Sequence, residues 1–425
     1  MSQRREFLRT GLAGLSSAIV FPALQLPGET MWMAQKPPET ADEEDFWAWV
    51  HHAFTVSPNI INLNNGGVSP QPKVVQEALD TYNRLSSEGP SYYMWRILDK
   101  GREPLRERLA EQAGVSPEEV AINRNASESL ETIIFGLDLQ QGDEVVVNVY
   151  DYPNMLNAWK QREMRDKIKL VYAQTRPLDT DDEALAQAYI SKFTRKTRVV
   201  HITHVINWNG QILPVRKIAE AARERGIRVL VDGAHAFAHL NHKVSDLQCD
   251  FWGTSLHKWL CAPIGSGMMY IRRERIPEVW PLFAPQEPRS GNIRKFEALG
   301  TRSFPIEQAI GHALNFHQTI GDERKERRLR TLKKYWVEKV KNLPGIKFFS
   351  PLDDQHSCAL ATVGFEGTDA ARLESYLLEN HKIHVTTIKY EGINGIRVTP
   401  HVYTRFRDLD RLVAALEEFA KNPSQ

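Results

Sequence analysis

The chain has 425 residues, 25% charged and 42% hydrophobic, proportions of an ordinary globular protein that exclude a disordered or fibrous one. That length is too great for a single core, since cores stop growing at roughly 250–300 residues. With 54 Lys plus Arg against 53 Asp plus Glu, the net charge of +1 gives no basic footprint for nucleic acid and no general attraction to anionic lipid.

The N-terminal stretch MSQRREFLRTGLAGLSSAIVFPALQLPG pairs Arg4 with Arg5, continues through Glu6, Phe7, Leu8 and Arg9, then turns modestly apolar to about Leu26. This pattern resembles the twin-arginine signal of bacteria. A short membrane anchor is the competing reading. Gly11, Gly14, Ser16 and Ser17 dilute the apolar run and Pro22 interrupts it, which disfavours a stable span of ~20 residues. Residues 1–34 are therefore expected to be a signal and linker, sending the folded protein to the periplasm through the twin-arginine machinery. No tidy small-residue cleavage site follows, so its removal stays open.

Residues 35–60 predict an N-terminal helical segment, because DEEDFWAWVHHAF sets acidic residues ahead of an apolar-periodic run. From 61 to 342 short β-branched runs alternate with amphipathic stretches, giving one large domain. Its expected strands are EVVVNV (144–149), KLVYAQ (169–174), RVVHITHV (198–205), RVLVD (228–232), DFWGTS (250–255) and one within GSGMMYIRR (265–273). LPVRKIAEAARERG (213–226) reads as a helix closing on Gly226, and residues 307–342 as one long charged helical stretch. Strand and helix alternating in this way predict an α/β fold with a mostly parallel sheet covered on both faces. Residues 343–425, with IKFFS, ALATVGF, HVTTIKY and GIRVTP between helices near 368–379 and 407–421, predict a small α+β domain with which the N-terminal segment could pack.

Ligands of open α/β sheets bind beyond the carboxyl ends of the strands. RVLV runs into Asp232, Gly233, Ala234 and His235, and DFWGT into Ser255, Leu256, His257 and Lys258. A carboxylate and a lysine on neighbouring strand ends suit pyridoxal phosphate (PLP): the lysine forms a Schiff base, and the carboxylate keeps the pyridine nitrogen protonated. The plain alternative makes Asp232 a helix cap and Lys258 a solvated lysine. In NRNASESLETIIFGL (123–137), a helix start would aim backbone N–H groups near Ala126 and Ser127 at an anion, unless it is an ordinary N-cap. Tyr152 and Asn207 follow two further strands, an aromatic and a neutral hydrogen bonder.

Taken together, DFWGTSLHKWLCAPIGSGMMYIRR, VLVDGAHAFAH and ITHVINWNG are similar to the motifs of the class V aminotransferases, a family of fold type I PLP-dependent enzymes that includes cysteine desulfurases and isopenicillin N epimerase. The likeness runs from INLNNGGVSPQP to the last helix. It implies a fold type I transferase and a homodimer acting on an amino-acid-like small molecule. By resemblance Lys258 bonds the cofactor, Asp232 pairs with its ring nitrogen, Asn207 and His235 lie near its phenolic oxygen, and Tyr152 stacks on it. Ala126, Ser127, Ser255 and His257 would hold the phosphate, with Thr301 reaching the neighbouring subunit's phosphate. Arg397, in GIRVTPHVYT, would clasp the substrate carboxylate, beside Asn65 and Gly66.

The chain departs from the desulfurases. They carry a nucleophilic cysteine on a mobile loop shortly before the arginine, whereas HKIHVTTIKYEGING has none and Cys358 falls in a predicted strand. The aromatic SYYMWRIL and the WNG segment lean toward the isopenicillin N epimerase-like branch. Class V aminotransfer is the expected activity, with epimerisation or carbon–sulfur lysis as alternatives and a non-catalytic cofactor-fold binding protein as an outside one. A metal site among His235, His239, His242, His201 and His204 is disfavoured, because no Cys or carboxylate completes a tetrahedron at the usual spacing.

Overall fold

The computed structural model describes Lys36 and residues 43–421; the twin-arginine-like stretch lies outside the described residues. In chain order the strands are β1 (Ile61–Asn62), β2 (Val120–Asn123), β3 (Glu144–Asn148), β4 (Lys169–Ala173), β5 (Thr197–Thr203), β6 (Arg228–Asp232), β7 (Phe251–Ser255), β8 (Gly267–Ile271), β9 (Ile346–Phe348), β10 (Ala361–Phe365), β11 (Ile383–His384), β12 (Thr386–Tyr390) and β13 (Ile393–Val398).

Seven strands form the central sheet in the order β2-β8-β7-β6-β5-β3-β4. The run from β7 to β4 is parallel throughout, and β8 lies antiparallel to both its neighbours. The inner strands are apolar at consecutive positions, as a sheet covered on both faces requires. Alternate residues then divide between two cores: Val146, Val200 and Val229 pack on one face, Val145, Val199 and Leu230 on the other. This is the mostly parallel α/β sheet that the sequence predicts.

Two details differ from the sequence reading. The stretch 307–342 is not one helix but two, Phe304–Ile320 and Asp322–Val340, separated at Gly321, whose φ of 87° breaks the helical path. β2, the four-residue VAIN, is a strand the sequence reading did not contain.

A four-stranded antiparallel sheet, β12-β13-β10-β9, builds the C-terminal domain. Helices Ala370–His381 and Phe406–Lys421 pack in its core through Leu373, Leu377, Leu412 and Leu416. β1 pairs in parallel with β11 rather than with the central sheet, and Leu63 is buried in this smaller core. The Leu63 N–H donates to the His384 carbonyl (2.8 Å) and its own carbonyl accepts the Thr399 N–H (2.7 Å). Helix Glu43–His52 instead buries Phe46, Trp47, Trp49 and Val50 in the larger core, which Val402 and Tyr403 also join.

β2 leads directly into the helix that begins at Ala126, and a buried ion pair fixes it. Arg106, from helix Arg102–Ala113, donates to Glu297 (2.6 Å) and to the Val120 carbonyl (2.6 Å), while Glu297 accepts the Ile122 N–H (2.7 Å). Removing one partner leaves the other charge buried, at a cost of about 3–5 kcal/mol. Glu297→Ala is therefore expected to lower the urea midpoint by an amount equivalent to about 3 kcal/mol, since Glu103 still pairs with Arg106; an unchanged midpoint would show that β2 does not depend on the pair.

Candidate active site

Parallel strands present their carboxyl ends to one side of the sheet, and the helix N-termini that follow point back at the same side. Here β6 ends at Asp232 and β7 at Ser255, while helix Ala126–Gly136 starts beyond β2. β13 contributes Arg397 from the smaller domain, and the chain just after β1 contributes Gly66 and Gly67. These segments enclose a cavity of about 290 Å³ lined by Gly66, Ala126, Ser127, Tyr152, Asn207, Asp232, His235, Ser255, His257, Lys258 and Arg397.

Asn65 and Thr301 are the predicted site residues that the structure does not bring to this cavity. The Asn65 amide donates to the Thr399 carbonyl (2.8 Å) and its oxygen accepts from the Tyr403 hydroxyl (2.7 Å), so its side chain braces the junction between β1 and β13. Thr301 is exposed, just ahead of helix Phe304–Ile320. Asn125, Thr203, Met155 and Asn64 were not singled out by sequence. The first three line the cavity, and Asn64 accepts from Arg397 (3.1 Å). The run NLNNGG offered a hint, since paired glycines mark a close backbone approach. A Cβ on Gly66 would meet Thr399 at 3.1 Å, His235 at 3.4 Å and the Arg397 guanidinium carbon at 3.5 Å.

Burial controls the charges. It is the largest influence on Lys258, pulling its pKa down to about 8 against the attraction of Asp232 and with help from Arg397. Burial also raises the pKa of Asp232, opposed by the Ala234 N–H that its Oδ1 accepts at 2.9 Å and by Lys258. Arg397 is drawn down to about 10 by burial; it donates to the Asn207 carbonyl (2.8 Å), and its Nε has no partner among the described residues. The Lys258 Nζ lies 3.2 Å from His235 Nε2. At the helix start, Asn125 caps by accepting the Glu128 N–H (2.8 Å), and the Ala126 N–H donates to Ser255 Oγ (2.9 Å). The Nδ1 of His257 pairs with the Ser266 carbonyl (3.0 Å), and Tyr152 stands at the rim, 38% exposed.

Two buried polar atoms here lack partners among the described residues, Asn207 Oδ1 and Arg397 Nε, and both belong to residues lining the cavity. Such atoms cost free energy unless a ligand satisfies them. An amine that is neutral above about pH 8 can condense with an aldehyde, a carboxylate shielded from water can hold a pyridine nitrogen protonated, and a helix N-terminus with a serine and a histidine beside it suits a phosphate. The residues present thus fit PLP, and fold and cavity together define a fold type I PLP-dependent enzyme.

Comparison with known proteins narrows this further. Residues 61–410 match the family described as aminotransferase class-V, and the chain belongs to that family. It is 26% identical over 388 residues to isopenicillin N epimerase of Streptomyces clavuligerus, spanning 87% of this chain and 98% of that one. It is also 26% identical over 405 residues to a probable cysteine desulfurase of Pyrococcus abyssi, spanning 88% and 97%. A solved structure of a C-DES mutant, with glycine covalently linked to its PLP cofactor, shares the fold at a TM-score of 0.78 and 23% identity over 87% of this chain and 99% of that one.

Among the described residues no group of three or more His, Cys, Asp or Glu side chains is arranged to hold a metal ion. Of the histidines of HAFAHLNH, His239 enters the core, lying flat on Trp259 at 3.8 Å, while His235 lines the cavity. If Lys258 bonds the cofactor, the purified protein should be yellow, and borohydride should fix the cofactor on the peptide containing Lys258. Lys258→Ala should lose turnover by several orders of magnitude yet retain cofactor through its phosphate; a reduced adduct on another lysine would refute the assignment.

Proposed function

We propose that this enzyme moves the α-proton of an amino acid whose carboxylate is held by Arg397, and that the net reaction is transamination. The observation that carries this reading is a cavity holding a desolvated lysine and a desolvated arginine, with no thiol among the described residues that line it. When bound, PLP supplies an electron sink that makes the α-proton acidic. Asp232 keeps a proton on the pyridine nitrogen. Lys258 Nζ, neutral above about pH 8, takes the α-proton as general base and can return it elsewhere. Arg397 turns the substrate so that the α-carbon faces that base, anchored itself by Asn207 and Asn64.

Persulfide chemistry is the poorer reading. Cys249, Cys261 and Cys358 are all buried, and burial pushes each thiol up to about 12, where nucleophilic thiolate is scarce. The segment preceding Arg397 is the β12–β13 hairpin, and it is clamped: Tyr390 stacks on Trp208 (4.5 Å, 17°) and its hydroxyl donates to the Val149 carbonyl (2.9 Å), while the Tyr150 hydroxyl donates to the Glu391 carbonyl (3.0 Å). Epimerisation is the second reading, supported by the near full-length likeness to isopenicillin N epimerase. The intact Lys258 and Asp232 weigh against a non-catalytic binding protein.

A panel of amino acids offered with 2-oxo acids distinguishes the outcomes. Amino-group exchange is expected; inversion of configuration without oxo-acid formation would establish epimerisation, and sulfide release would establish lysis. Arg397→Ala should weaken amino-acid binding about 10- to 150-fold, since a charged hydrogen bond is worth roughly 1.5–3 kcal/mol, with Arg397→Lys recovering part. Replacing all three cysteines by Ala should leave turnover largely intact.

We also propose that Arg4 and Arg5 direct export of the folded enzyme to the periplasm, and that it works as a homodimer with Thr301 reaching the neighbouring site. Replacing both arginines by lysine should leave active enzyme in the cytoplasm; unchanged periplasmic activity would refute the export route.

A further inference from the structure

Trp259 follows the cofactor lysine directly and is fully buried, with its indole plane held between two imidazoles. His239 lies on one side at 3.8 Å and 8°, and His401 stacks at 5.4 Å and 15°. So constrained, the indole N–H donates to His235 Nδ1 at 3.4 Å. An indole nitrogen can only donate, so Nδ1 of His235 must be the bare, accepting nitrogen. Burial keeps His235 neutral, with the nearby positive charges of Lys258 and Arg397 acting in the same direction. A neutral imidazole whose Nδ1 accepts carries its proton on Nε2, and that atom faces Lys258 Nζ at 3.2 Å.

The orientation of His235 is fixed from a second side. His239 Nε2 accepts the Ala359 N–H (3.0 Å), which places the His239 proton on Nδ1, where it donates to the His235 carbonyl (2.7 Å). Backbone and ring of His235 are therefore both tied down by groups outside the cavity.

We infer that Trp259 is a positioning residue: its N–H holds His235 in the tautomer that directs a donor at Lys258 Nζ, so that the lysine receives a hydrogen bond as a free amine. Without that indole N–H the His235 ring can carry its proton on Nδ1. Its bare Nε2 then accepts from the lysine ammonium and favours the charged, unreactive form. The other titratable groups facing Lys258 are Asp232, Arg397 and His257, and those facing His235 are Lys258 and Arg397 with neutral His239; of these only His239 touches Trp259, and a phenyl ring there leaves it an aromatic face.

This inference rests on Lys258 being the residue that bonds the cofactor, and the test separates the two. Full-length protein freed of its cofactor is mixed with PLP, the rate of capture is followed by absorbance across a pH series, and the borohydride-reduced adduct is mapped. The native midpoint is expected near 8. Trp259→Phe, which keeps an aromatic ring between the histidines, should raise it by about one unit, the scale of one net hydrogen bond. Ionisations of PLP itself are common to both proteins and cancel. His235→Asn and the His235→Asn, Trp259→Phe double variant should share one midpoint, because the indole acts through the imidazole. A purely structural role would lower the melting temperature without moving the midpoint. If Trp259→Phe does not fold, site-specific replacement of Trp259 by its benzothiophene isostere removes the N–H donor while keeping a bicyclic aromatic of similar shape. An unchanged midpoint with the adduct on Lys258, or the same shift persisting in the His235→Asn background, overturns the inference alone. An adduct on another lysine overturns the inference together with the assignment of Lys258.

Discussion

The site depends on keeping two cations and a carboxylate out of water in one cavity. Lys258, Arg397 and Asp232 are each driven toward their neutral forms by burial, and each is held by backbone or neutral side chains that prevent retreat to solvent. Such an arrangement is costly on its own and becomes favourable when negative charge enters. PLP brings a phosphate, and an amino-acid substrate brings a carboxylate. The same desolvation therefore selects ligands that bring negative charge and leaves a lysine able to act as nucleophile and base near pH 8.

The fold satisfies this demand by converging segments that are remote in sequence. Strand ends of the central sheet deliver Asp232, Ser255 and Lys258, the helix after β2 delivers the anion cradle, and the smaller domain delivers Arg397 across the joint. The joint is stitched by β1, by Asn65 and by the Thr399 hydroxyl, which accepts the Gly66 N–H at 3.0 Å. The Arg397 guanidinium is thus attached on both sides of the interface, to Asn207 of the larger domain and Asn64 of the crossing chain. The clamped hairpin next to it gives that wall a fixed position.

Much of this was legible in the sequence because one pattern is strong. Consecutive apolar residues in EVVVN and RVLVD leave few alternatives to a doubly covered strand, and chemistry-bearing residues immediately after such strands have one side of the sheet on which to meet. Where the local signal is short, it failed. VAIN is four residues long and is a strand because Arg106 and Glu297 hold its backbone from elsewhere. Gly321 sits between two stretches that are each good helix formers, so the break shows only in its φ of 87°. Asn65 and Gly66 are adjacent and equally plausible by sequence, yet the backbone turns one into the scaffold and the other into the cavity. The tie between Trp259 and His235 joins positions 24 residues apart through a buried ring edge, which no local pattern encodes.

The β1–β11 pairing also sets a timetable for the chain. The Asn65 amide bonds a carbonyl 334 residues further on, at Thr399, so the joint cannot close until Thr399 has been made. At ribosomal rates of about 5–20 residues per second, the crossing segment would wait roughly 17–67 s for its partner. During that interval the central sheet can assemble while Leu63 and the edge of β1 stay uncovered. A chain built this way completes its site all at once, when β13 arrives bearing Arg397 with Thr399 immediately after it. A cut ahead of Thr399 would therefore undo the N-terminal crossing as well as the helix Phe406–Lys421.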